Sequence, residues 1–94
     1  MAGKEVQSAH THTSATLVTG RSRLQGVVVN TSSGATGDVV LYDNTAASGN
    51  VLLEVDEKVA STVDILIPND GILAKKGIHA VLPANVTITV FYQQ

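Results

Sequence analysis

The chain has 94 residues, no cysteine, three aromatic side chains and a formal net charge of −2. That length fits one domain. The missing thiols exclude disulfides and Cys-type zinc sites, and so few rings leave little stacking surface for nucleic acid or sugar. A domain this small buries only about 60–65% of its unfolded surface, so oligomerisation or docking on a partner is the remaining common support.

Residues 1–20 begin with "MAGKEVQSAHTHTSAT", which is polar and poor in core formers. They read as an extended N-terminal arm, ahead of a domain over residues 21–94. No apolar h-region marks a signal peptide. No apolar run approaches the length of a bilayer span. The expectation is therefore synthesis and retention in a cytoplasm, with no membrane contact. Residues 1–23 hold Lys4, Arg21 and Arg23 against Glu5, whereas residues 24–94 hold three lysines against seven acids. A mildly basic arm on a mildly acidic body suits docking on an acidic protein surface, so Lys4, Arg21 and Arg23 are the partner-docking candidates. The charge is too sparse for a nucleic-acid arm. For Arg21 and Arg23 the plainer alternative is a charged edge that discourages strand-to-strand aggregation.

His10-Thr11-His12 is the one metal-like motif. On a strand, positions i and i+2 share a face, and a threefold assembly would gather three such pairs at its axis. Without a nearby carboxylate or third histidine the pair is a weak signal. The ordinary reading is two solvated imidazoles, and no cofactor is expected.

The body reads as short strands and turns. Valine, threonine and isoleucine are stiff at χ1 and suit a pleated strand. Strands are expected at 24–31, 37–43, 50–56, 63–67, 78–82 and 86–92. Between them lie "NTSSG", "DNTAASGN", "EKVAS" and "PNDG", whose small, polar and glycine residues favour reversal. In the last strand Val86, Ile88, Val90 and Tyr92 share one face, and Thr87, Thr89 and Phe91 the other. "GILAKKG" is long enough for one helical turn at most. The pattern predicts an all-β fold, a small antiparallel β-sandwich or jelly-roll-like domain with an aliphatic core.

Catalytic motifs are missing from the sequence. His79 alternates with Ile78 and Ala80, which places it on an outer sheet face, and no G-x-S-x-G elbow accompanies it. Asp38, Asp43, Asp56 and Asp70 adjoin turns and are expected to cap the local backbone, because calcium needs denser oxygen ligands. "TSSGATG" leads into an aspartate and a strand rather than Gly-Lys-Ser/Thr and a helix, so it is no phosphate loop. Asn30-Thr31-Ser32 and Asn85-Val86-Thr87 match the glycosylation pattern, and with no secretion expected these matches are read as chance.

The stretches Gly34 to Asp43, Ser48-Gly49, Ile67 to Ile72 and Val86 to Tyr92 carry a resemblance over residues 23–93. They resemble a family of small β-rich structural proteins of tailed bacteriophages, whose chains commonly show a "GATxGxVVLxD" turn and strand, an "IPxDGI" turn and a closing "xVTVFY"-like strand; the counterparts here read "GATGDVVLYD", "IPNDGI" and "VTITVFY". The resemblance implies a non-enzymatic virion protein. It points most directly to a capsid decoration, or cement, protein: a homotrimer on the major capsid protein at the head surface, made in the host bacterial cytoplasm. A tail- or connector-associated protein or fibre domain remains open, as does a host-surface carbohydrate-binding module.

Overall fold

The structure, a computed structural model, describes residues 6–32, 38–55, 61–68 and 71–94. Nine strands follow one another: β1 (Gln7–Thr11), β2 (Ala15–Thr19), β3 (Ser22–Thr31), β4 (Val39–Asp43), β5 (Asn50–Val55), β6 (Ser61–Leu66), β7 (Ile72–Ala74), β8 (Gly77–Val81) and β9 (Val86–Gln93). No helix lies among the described residues. Every strand pairing is antiparallel. One sheet has the order β1-β9-β3-β6, with β7 also on β3, and the other has the order β2-β8-β4-β5.

The pairings are nested. β1 meets β9, β2 meets β8, β3 meets both β6 and β7, and β4 meets β5. The chain is thus one long hairpin with its tip between β4 and β5. Rolling that hairpin adds the β3–β9 and β4–β8 pairings. A rolled hairpin that alternates between two sheets is the jelly-roll order. β6 and β7 share one flank of β3, as a single strand interrupted around Pro68 and Gly71.

Alternation explains the core. Val27 and Val29 of β3 stand opposite Val90 and Ile88 of β9, and with Leu24 and Val86 of the same two strands they are buried. They pack against Val39 and Leu41 of β4, Ile78 and Ala80 of β8, and Val18 of β2. Each fully buried aliphatic side chain contributes on the order of 1.5–3 kcal/mol over its exposed state. No aromatic ring is fully buried; Tyr92 packs partly against this cluster.

Two glycines are required by close approach. Gly71 has φ 84° and Gly77 φ 151°. A Cβ on Gly71 would run into the Leu24 carbonyl oxygen, and one on Gly77 into that of Val18. Asn85, in the β8–β9 turn, has φ 68°. Its carbonyl accepts the Ser32 N–H at 2.9 Å.

Two expectations change. Residues 7–19, read as part of a detached arm, supply one edge strand to each sheet through β1 and β2. Their threonines, serines and alanines suit an edge, which needs one apolar face: Ala9 and Leu17 pack on the core. "GILAKKG" is strand rather than helical turn, because Ile72, Leu73 and Ala74 pair with Leu24, Arg23 and Ser22. Lys4, residues 33–37 and 56–60 with the candidate cap Asp56, and Asp70 of "PNDG" lie outside the described residues.

Candidate functional site

All strands run between two ends of the sandwich. One end holds the β2–β3, β4–β5 and β7–β8 turns together with the close of β9. Asp43 is the last residue of β4, and its Oδ1 accepts the Lys76 backbone N–H at 2.8 Å. Burial pushes the Asp43 carboxyl up. The N–H groups of Lys76, Lys75 and Gly77 and the Lys76 charge outweigh that, and hold it below its ordinary 3.8. The expectation for Asp43 is a cap on its local backbone; it caps instead a turn far away in sequence, which the β4–β8 pairing brings alongside. The Gly20 N–H donates to the Lys76 carbonyl at 2.9 Å, which ties the β2–β3 and β7–β8 turns together. The Gln94 side-chain amide donates to the Thr19 carbonyl at 3.0 Å.

Arg21 and Arg23 meet at this end. Arg21 is exposed in the β2–β3 turn, and Arg23 is half-buried as the second residue of β3. Arg23 stands opposite Gln93 on one side and Leu73 on the other. Both arginines line a hollow of about 120 Å³ with Ser22, Leu73, Gln93 and Gln94. Among the described residues, no acidic side chain lines it. Ser22 is 2% exposed, and its Oγ has no hydrogen-bond partner.

The outer face of the first sheet carries a second, more apolar hollow of about 270 Å³ above Gly26. Val28, Phe91 and Leu66 line it beside Asp64. Leu66 is 91% exposed. Leu66 points away from the core because β6 alternates, and no local sequence pattern puts it beside Phe91.

The histidines are placed differently from one another. His10 lies in β1, and its Nδ1 shares a 3.0 Å hydrogen bond with Thr89 Oγ1. His12 falls beyond the end of β1, in the bend before β2, so the pair does not share one strand face. No group of three potential metal-ligating side chains occurs among the described residues. His79, half-buried on the outer face of the second sheet, has Nδ1 2.8 Å from Thr16 Oγ1. Thr16 donates its single proton to the Thr45 carbonyl at 3.0 Å, so His79 Nδ1 must carry the proton it gives to Thr16. A threonine partner leaves out the carboxylate that orients a triad base.

The three aromatic rings do not converge. Phe91 lies on the outer face of the first sheet and Tyr42 on the outer face of the second, while Tyr92 packs on the core. No described helix is long and apolar enough to cross a membrane. No known family model, curated protein or solved structure matches the chain.

Proposed function

We propose that this chain is a virion structural protein of a tailed bacteriophage, most directly a capsid decoration protein that binds the major capsid protein and stabilises the head. The strand order carries the reading. A jelly roll is a recurrent architecture of viral capsid domains, and here it stands on a small aliphatic core beside the sequence resemblance over residues 23–93. One fold hosts many functions, so the surface is part of the reading. The features of that surface are a basic end and an apolar hollow, which suit a docking subunit, with no triad geometry around His79. The proposed role needs no catalysis and no cofactor.

Binding an assembled shell but not its free subunits would stabilise the head by mass action. A homotrimer suits a local threefold position. The carbohydrate-binding alternative loses support, because Tyr42, Phe91 and Tyr92 stand on different surfaces and form no common stacking platform. The tail or connector alternative keeps the same docking chemistry and differs in copy number. Quantitative mass spectrometry of purified virions separates the two. Near parity with the major capsid protein is expected. A ratio of a few copies per hundred would overturn the head reading and move the protein to the tail or connector.

A further inference from the structure

Among the described residues, the cationic side chains gather at one end of the sandwich. Arg21, Arg23, Lys75 and Lys76 all sit at the end where β2 turns into β3 and β7 into β8, and the Gly20–Lys76 hydrogen bond holds those turns side by side. The described acid at that end is Asp43, whose carboxylate faces the backbone N–H of Lys76. Asp38 precedes β4 at the opposite end, Glu54 sits opposite Val40, and Asp64 sits opposite Val28. Within the basic end, the two arginines are the cations that line a concavity, with Leu73 beside them and the Gln94 amide held in place by Thr19.

We propose that this hollow is a receptor for a glutamate side chain from an acidic segment of a partner protein. A guanidinium presents a planar fork of donors that matches a carboxylate, and two forks at one mouth strengthen that preference. Leu73 supplies an apolar surface for the methylene stem and lowers the local dielectric around the ion pair. At about 120 Å³ the hollow is well below the roughly 300 Å³ at which small-molecule sites begin, so a sugar or nucleotide does not fit. A nucleic-acid backbone is disfavoured on other grounds. Duplex binding draws on many phosphate contacts, and single strands need stacking rings. Phe91 stands instead beside Gly26 in the separate apolar hollow.

The inference rests on the reading of this chain as a docking subunit, but its test needs no virion, so the two can fail separately. A hexaglutamate peptide is titrated into the full, isotopically labelled chain at low salt, followed by NMR. Shifts are expected at the Arg21 and Arg23 side-chain N–H groups and the Gln93 and Gln94 amides. R23Q should weaken binding about tenfold or more, because charge-assisted hydrogen bonds are lost. The pair K75Q/K76Q should weaken it only about two- to threefold, through screened long-range attraction. Unchanged dispersion of the remaining resonances establishes that each variant folds. The proposal is overturned if the peptide causes no localised shifts, or if the lysine pair matters as much as Arg23. Equally tight binding of a short DNA duplex would also overturn it, in favour of a general anion surface.

Discussion

The two sheets are built by different means. In the first, β3 and β9 are 10 and 8 residues long and pair from Arg23–Gln93 to Thr31–Val86 with one bulge. Their inward positions are aliphatic and buried, so burial alone fixes the register: a one-residue slip would turn the whole set outward. In the second sheet, strands are five or six residues long, and bulges interrupt the β2–β8 and β4–β5 pairings. There, polar side chains complete the structure. Asp43 caps the Lys75–Lys76 turn, Asn44 Nδ2 donates to the Ser48 carbonyl at 3.0 Å, and Thr16 links Thr45 to His79. The first sheet has the longer run of burial, whereas the second adds directed bonds at its turns to its own buried Val18, Val39, Leu41, Ile78 and Ala80.

That contrast can be broken from either side. Ile88→Ala, at the centre of the first sheet, should be the most destabilising, by about 2–5 kcal/mol, since a buried aliphatic is lost and a cavity left. Urea unfolding measures it; a loss under about 1 kcal/mol would mean that the site collapses around the gap and that burial is less decisive here. Gly77→Ala tests the second sheet. Its positive φ and the Val18 carbonyl both oppose a Cβ, and about 1–3 kcal/mol of strain is expected. A thermal melt of Gly77→Ala that overlays the parent would show that the β7–β8 turn shifts freely.

Asp43→Asn is the smallest effect, under about 1 kcal/mol for a solvent-screened group. Its value is its pH dependence. The folded carboxyl is held below 3.8, so its contribution is present above that value and lost as pH falls through the lowered one. Parent and variant should therefore differ in stability at neutral pH and converge in acid. A difference that stayed constant down to strong acid would remove the charge of Asp43 from the account.

The same division decided what was legible in the sequence. Alternation at Val86, Ile88, Val90 and Tyr92 gave the face of β9 because inward burial leaves a period of two. Val63, Ile65 and Ile67 alternate in the same way along β6 and the residue after it, and they pack on the core. β1 and β2 were read as an arm because each is an edge strand with one apolar face, and half of a short alternation looks polar. Asp43 was recognisable as a cap, but its partner lies on a turn reached only through the β4–β8 pairing. Arg21 and Arg23 were visible as cations. Leu73, Gln93 and Gln94, which complete their hollow, arrive from β7 and the end of β9, and no local pattern announces them.

The nested pairing has a kinetic consequence. Joining β1 directly to β9 would close a loop spanning nearly the whole chain, and the entropy lost grows with loop length. The tip between β4 and β5 costs least. Once it has formed, β3 needs only a short further closure to reach β6 and β7, then β2 to reach β8, and β1 to reach β9 last. Each pair shortens the search for the next, so a topology made almost entirely of distant contacts can be assembled as a succession of local ones.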